Sequence, residues 1–330
     1  MIEIINSSRD PYFNLALEEY ALKNMSASEE YFILWQDEPT VVVGRNQNTI
    51  AEINSAYIKE KGINVVRRLS GGGAVYHDRG NLNFTFIVNE DRRSSFDFEK
   101  YTRPVIEALH RIGIEAENNG RNDITIDGRK FSGNAQFRYR GRLLHHGTIL
   151  FNSSLEEMAA ALNVSEEKIS SKGIKSIRSR VTNIAEHLSE AMDIEEFKNI
   201  LTGTIFSGEE KALSHHLSEL DLEAINRLRE QKYQSWEWVY GASPAFNIKK
   251  KRKFSWGNIE MRLDVKKGLI EGCKIYGDFF AARDIRELEK NFIKLPFREE
   301  IIEELLNNLE LMEWLPDASK EEILELFWGQ

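Results

Sequence analysis

Two dipeptides, Asp127-Gly128 and Arg140-Gly141, constrain this chain more than any other feature. The first separates ITI from RKFSGNAQF, and the second separates FRYR from RLLHHGTILF. Short turn-forming pairs between runs of strand-forming residues mark tight turns, so 124–151 is read as three antiparallel strands joined by two hairpins. Parallel strands would need long crossovers instead. Further strands are expected at YFILW (31–35), TVVVG (40–44), INVVRRL (63–69) and NLNFTFIV (81–88). In the last, Leu82, Phe84, Phe86 and Val88 alternate with polar Asn83 and Thr85, which predicts a half-buried strand. Helices interrupt these runs without a regular rhythm. Asp10 followed by Pro11 reads as a cap and first helical residue, with Phe13, Leu17 and Tyr20 at helical spacing through about Asn24. Ser154 with Glu157 forms a capping box that opens a helix at about 155–162, and other helices are expected near 193–202 and 221–231. The fold class is therefore α+β, with mixed and largely antiparallel sheets.

A chain of 330 residues is long enough for two domains. The segment GASPAFNIKKKRK, with its cation run from Lys249 to Lys253, reads as a solvated linker, giving domains 1–245 and 246–330. Beyond it, a hairpin turning near Lys267-Gly268 and amphipathic helices over 284–330 are expected. With 41% hydrophobic and 29% charged residues, general disorder is excluded. The formal charge of −9 argues against bulk binding of nucleic acid. The opening MIEIINSSRDPYFNLALEEY has neither the basic start nor the apolar run of a signal peptide, and no stretch is apolar enough to span a membrane, so a cytoplasmic location is expected. The single cysteine, Cys273, allows no internal disulfide and no cysteine-based metal site.

The chemistry concentrates in RRLSGGGAVYHDRGNLNFTF, from Arg67 to Phe86. Three consecutive glycines let backbone amides approach a ligand, and Arg67, Arg68 and Ser70 beside them suit a phosphate or carboxylate. A glycine-rich tip with solvated arginines is the other reading. The run fits neither the Walker A nor the dinucleotide fingerprint. Asp123 heads one predicted strand and Lys130 follows the next turn, so the two should be cross-strand neighbours. They suit a magnesium ligand and a phosphate-binding cation, or a simple exposed ion pair. His145 and His146 are adjacent on a strand, so one must face the core and the other outward or toward a site. No nucleophile elbow or histidine–glutamate zinc motif is present. The basic stretch KGIKSIRSR at 172–180 is either a solvated loop or one that closes over a polyphosphate.

Taken together, RRLSGGGAVYHDRGNLNFTF, GRNDI, GRKFSGNAQ, HHGTILF, KGIKSIRSRVTN and SWEWVYGASPAF resemble the lipoate-protein ligase A family in order and spacing. The resemblance begins at DPYFNLALEEY and covers nearly the whole chain. It implies a catalytic domain related to biotin ligases and class II aminoacyl-tRNA synthetases, plus a small accessory α+β domain. It also implies a two-step reaction in which lipoate and ATP give lipoyl-adenylate, and a lysine of an acceptor domain then takes the lipoyl group. On the matching positions, Lys130 is implied as catalytic and as contacting both ATP and lipoate. Arg68, Gly73, Ala74, Val75 and Tyr76 are implied in ATP binding, and Val75, His77 and His146 in lipoate binding. Lys172, Lys175 and Arg178 are implied in the loop that closes over the adenylate, and Asp123 in holding Mg2+. Leu69 and Asn134 depart from common family residues without touching these roles.

The implied acceptors are apo lipoyl domains of 2-oxoacid dehydrogenase acyltransferase subunits or the glycine cleavage H protein, and the implied state is a monomer. Two alternatives share the fold: a carrier-dependent octanoyl or lipoyl transferase, and a lipoate-binding relay protein without turnover. The cysteine-nucleophile transferases would need a cysteine in the catalytic domain, where none occurs.

Overall fold

Both predicted hairpins form, and they build the centre of the molecule. Asp127 and Gly128 (φ 50° and 71°), like Arg140 and Gly141 (48° and 81°), each place two consecutive residues in the left-handed region, as the twist of a two-residue hairpin requires. The computed structural model describes residues 1–90, 97–120, 122–162, 179–207, 213–240, 248–266 and 268–328.

The hairpin strands Asp123–Ile126, Arg129–Tyr139 and Arg142–Leu150 lie within an eight-stranded sheet. From one edge its order is Leu213–His216, Ile2–Ile5, Tyr31–Trp35, Asn81–Asn89, Arg142–Leu150, Arg129–Tyr139, Asp123–Ile126 and Glu117–Asn119. The two strands at the first edge, which the sequence reading did not anticipate, pair in parallel. Antiparallel pairing prevails across the centre and the other edge, so the sheet is mixed as expected.

Strand Asn81–Asn89 corrects one expectation: apart from its last residue it is buried on both faces. Phe84 and Phe86 pack in one core with Val105 and Leu109 of helix Glu99–Arg111 and with Phe197 and Leu201 of helix Ile194–Ile205. Asn83 and Thr85 face the other layer, which holds helix Pro11–Lys23. The Asp10 carboxylate caps that helix by accepting from the Tyr12 and Phe13 amides. Its far end is held by the buried Arg142 guanidinium, which donates to the carbonyls of Ala21, Leu22 and Glu29. The helix does not bury a simple stripe: Leu15, Leu17, Glu18, Glu19 and Leu22 are all buried.

A second sheet, with Thr40–Val43 between Asn64–Arg67 and Val75–His77, packs Val42 and Val66 against the same core as Leu15 and Leu17. From Ile248 onward the chain builds a separate core. Antiparallel strands Ile248–Phe254, Gly257–Lys266 and Leu269–Gly277 pack on helices Ile285–Phe292, Glu299–Asn308 and Lys320–Trp328. The cation run is therefore an edge strand rather than a linker. Ile248 and Phe254 pack on this core while Lys249, Lys251 and Lys253 are exposed, an arrangement that discourages pairing with another chain. Residues 241–247 lie outside the described residues.

Candidate active site

The cavity lies on the helix Pro11–Lys23 face of the large sheet. The pairing register puts Gly133 and Ala135, His146 and Thr148, Asn83, and Trp35 side by side on that face. These four neighbouring strands make a floor about 14 Å across, three strand spacings. Leu15, Val42 and the segment Gly72 to Val75 complete the walls. The space between these walls, open solvent at the mouth included, is about 630 Å3.

The two ends of this floor differ in chemistry. At one end Lys130 Nζ lies 2.6 Å from Asp123 Oδ1, with 37% and 35% of the two side chains exposed. The predicted cross-strand proximity is thus present. Gly133 makes room for it, since a Cβ there would meet Lys130 Nζ at 2.8 Å and Cε at 2.9 Å. The Lys130 backbone is also held from outside the hairpin: its amide donates to the Arg180 carbonyl at 2.8 Å, and its carbonyl accepts from the Thr182 amide at 2.9 Å. The chain leaving the predicted adenylate loop is therefore stitched to the lysine. Lys172, Lys175 and Arg178 themselves lie outside the described residues.

At the other end the walls are Trp35, Leu15, Val42, Val75 and His77. His77 is 3% exposed, and its Nδ1 lies 2.8 Å from the buried carboxylate of Asp37. Burial raises the Asp37 carboxyl against the pull of that ring. Asn14 donates to the second Asp37 oxygen at 2.9 Å.

The paired histidines divide as strand geometry requires. His145 turns to the opposite face, among Phe84, Phe98 and Tyr101, with Gln136 and Asn134 on its nitrogens. Burial holds its ring well below the ordinary histidine range, so it is neutral. His146 faces the cavity, with Nε2 on Ser70 Oγ at 2.6 Å and Nδ1 on Glu18 at 2.9 Å. Glu18 also accepts from Thr85, which in turn accepts from the Trp35 indole. This buried polar chain was missed in the sequence. Its one visible signal was the pair Glu18-Glu19 inside an otherwise apolar helical stretch, LALEEYAL.

The arginines beside the glycines do not act as a solvated anion clamp. Arg67, 7% exposed, donates to the carbonyls of Gly44, Arg45, Gln47, Trp238 and Val239 and to Thr49 Oγ1. Arg68, 6% exposed, lines the cavity, yet its guanidinium donates to Ser70 Oγ and to the carbonyls of Val42, Gly71 and Gly73. Burial lowers both guanidiniums to about 10. Arg68 braces the glycine segment from behind, while Arg67 ties the stretch Gly44 to Thr49 to Trp238 and Val239.

The three glycines answer three separate demands. A Cβ on Gly71 would meet the Phe279 carbonyl of the C-terminal unit at 2.2 Å, and Gly72 takes φ +93°. Only Gly73 opens onto empty space beside the cavity. Ala74 and Val75 continue the wall, while Tyr76 turns away into the small sheet's own core, where burial raises its phenol. Among the described residues no three His, Cys, Asp or Glu side chains are grouped to hold a metal. Mg2+ bound mainly through substrate phosphates needs only one protein carboxylate, and the part-exposed Asp123 fits that demand.

The sequence matches the family described as "Lipoyl protein ligase A/B catalytic domain" over residues 10–206 and "Bacterial lipoate protein ligase C-terminus" over 243–327. The chain belongs to the lipoate-protein ligase family. It is 47% identical over 321 residues to a lipoate-protein ligase of Bacillus subtilis (strain 168), covering 97% of each chain. It is 46% identical to lipoate–protein ligase 1 of Staphylococcus aureus (strain Mu50), over 97% of this chain and 98% of that one. A P. falciparum protein solved in complex with lipoate superimposes with TM-score 0.81 at 26% identity, over 100% of this chain and 99% of that one. A bipartite lipoate protein ligase from Thermoplasma acidophilum, described with its E2 lipoyl domain, gives 0.67 at 26% identity over 75% and 98%.

Proposed function

We propose that the protein is an ATP-dependent lipoate-protein ligase, which activates lipoate as lipoyl-adenylate and passes the lipoyl group to a lysine of an acceptor lipoyl domain. The observation that carries this reading is the polarity of the cavity. One end carries the part-exposed Lys130 ammonium, and the other is walled mainly by the buried Leu15, Trp35 and Val42, which suits a small acid with an alkyl tail.

A carboxylate becomes an acyl donor only when one oxygen is made into a good leaving group, and AMP supplies that. Two anions must then meet, so a cation is required between them. Lys130 fits this role: among the described residues it is the part-exposed cation lining the cavity, paired with Asp123 and cushioned on Gly133. Once substrate binds, its ammonium exchanges Asp123 for the acyl oxygen and the α-phosphate. The backbone around Gly73 to Val75 lies along the opposite wall and is offered to the nucleotide, with Arg68 acting by fixing that backbone. Val75, His77 and His146 border the tail. Asp123, once released from Lys130, is the carboxylate that would hold Mg2+, whose chemistry is to neutralise the departing pyrophosphate.

This reading assigns catalysis to residues 1–245 and an accessory role to 246–330, with a monomer acting in the cytoplasm. Among the described residues no helix is long and apolar enough to cross a membrane. The acceptors would be lipoyl domains of 2-oxoacid dehydrogenases or of the glycine cleavage H protein. A cysteine-based transferase is disfavoured because Cys273 is buried in the C-terminal core, where burial raises its thiol and disfavours the thiolate.

Intact-mass spectrometry of an apo lipoyl domain incubated with the protein, lipoate and Mg2+ tests the proposal. A lipoyl adduct that forms only with ATP is the expected result. No adduct with ATP, together with modification from an acyl-carrier donor, would replace the ligase by a transferase.

A further inference from the structure

Two adjacent phenylalanines of the C-terminal unit point to different places. Phe279 packs in that unit's own core, edge-on to Trp256. Phe280 is also buried, at 5% exposed, but it clusters with Phe98 and Ala135 of the N-terminal unit, its ring centroid 5.5 Å from that of Phe98. Both belong to the connection between strand Leu269–Gly277 and helix Ile285–Phe292. That connection is seated on the N-terminal unit at either end as well. The Gly277 amide donates to the Asn46 carbonyl at 2.9 Å, and the Asp284 carboxylate accepts from the Arg45 guanidinium at 3.0 Å.

The place that Phe280 enters is a corner of the cavity. Ala135 belongs to the floor and Gly72 to the wall. A Cβ on Gly72 would lie 3.5 Å from Phe280 Cε1 and 3.6 Å from Cζ, so the ring lies beside that glycine. On its other side the same segment is held by Arg68, whose Nη2 donates to the carbonyls of Gly71 and Gly73 at 2.7 and 2.8 Å. Consecutive glycines lose more backbone freedom on ordering than any other residues, so such a segment keeps one conformation only when its surroundings impose it. Backbone that is already ordered binds a ligand without that cost.

We infer that Phe280 is a positioning residue of the active site, which presses the glycine segment toward Arg68 and so sets the backbone of Gly73 to Val75 for the nucleotide. The inference rests on the ligase reading, in which that backbone is offered to ATP. It makes the C-terminal unit part of the nucleotide wall.

The test is lipoate-dependent exchange of pyrophosphate into ATP by the full chain, with KM measured for each substrate in the wild type, Phe280→Ala, Phe280→Leu and Asp284→Asn. Leucine keeps apolar bulk in the corner but lacks the ring that reaches Gly72. Asparagine at 284 weakens the Arg45 contact of the same connection, leaves Gly72 untouched and keeps an oxygen to cap helix Ile285–Phe292. Phe280→Ala is expected to raise the KM for ATP by about fivefold or more and Phe280→Leu by about twofold, with the KM for lipoate unchanged in both. Asp284→Asn is expected to match the wild type. The leucine variant carries the test should the alanine variant not fold. An unchanged KM for ATP in either folded Phe280 variant would overturn the inference, as would a rise confined to the KM for lipoate. An equal rise in Asp284→Asn would overturn it too, because seating of the whole C-terminal unit would then be the cause. Wild-type protein that shows no lipoate-dependent exchange would overturn the ligase reading itself, and this inference with it.

Discussion

Positive charge meets the cavity in two places, and the two are built in opposite ways. Arg68 sits behind the glycine segment and Arg67 behind the neighbouring stretch Gly44 to Thr49, both buried, with their guanidiniums spent on backbone carbonyls and hydroxyls. Lys130 stands at the mouth, more than a third exposed, on a flexible stem with one carboxylate partner. A planar fork with five donors can collect carbonyls from several segments at once, whereas an ammonium on four methylenes can change partners. The arginines therefore hold a shape and the lysine is available to do chemistry. This division predicts that mutations on the two sides separate stability from activity.

The largest effect is expected at Arg67. Arg67→Met would strand carbonyls from Gly44, Arg45, Gln47, Trp238 and Val239 in a buried place. A cost of about 3–5 kcal/mol follows, a large share of ordinary domain stability. Denaturant titration measures it, and Arg67→Lys should rescue little because its donors cannot match the fork. A loss below about 1 kcal/mol would show that the carbonyl cage contributes little to stability and would end the contrast with Lys130.

Lys130→Ala is the mirror case. Pyrophosphate exchange should drop by roughly 10²-fold, the scale of losing one transition-state donor. Stability should stay within about 0.5 kcal/mol, because a part-exposed ion pair contributes little. Near-normal turnover in this variant would remove the lysine from the mechanism. Gly133→Ala sharpens the same point without touching the charge. The new methyl must displace the end of Lys130, so activity should fall by about tenfold while the fold survives. Unchanged kinetics would mean that the lysine's resting position is irrelevant to its working one.

Legibility followed the same divide. The hairpins were readable because Asp127-Gly128 and Arg140-Gly141 encode their turns locally, and Lys130 with Asp123 followed from the register those turns impose. The roles of Arg67 and Arg68 were not readable, because their acceptors come from segments as distant as Val239 and nothing local announces a carbonyl cage. One demand on the glycine triplet was hidden for the same reason: Gly71 answers to Phe279, more than two hundred residues away in sequence. The edge strand Ile248–Phe254 reads as a linker in the sequence because five consecutive cations hide the alternation of Ile248 and Phe254 toward the core. Glu18 and Asp37 escaped because a buried carboxylate looks like a surface one until its partners are placed.

The smallest expected effect decides what Asp123 does for Lys130. If its carboxylate only parks the ammonium between turnovers, Asp123→Asn should leave the Mg2+ requirement of exchange unchanged and alter the KM for ATP. If it also binds the cation that accompanies the nucleotide, replacing a charged oxygen ligand by an amide should raise the half-saturating Mg2+ concentration by about fivefold. The second result is expected, since phosphates entering beside Lys130 would draw the ammonium away and leave the carboxylate exposed at the mouth. Stability should change by no more than about 0.5 kcal/mol in either case. A Mg2+ titration of the variant that overlays the wild type would reduce Asp123 to a resting partner, and the contrast with the arginines would then rest on the lysine alone.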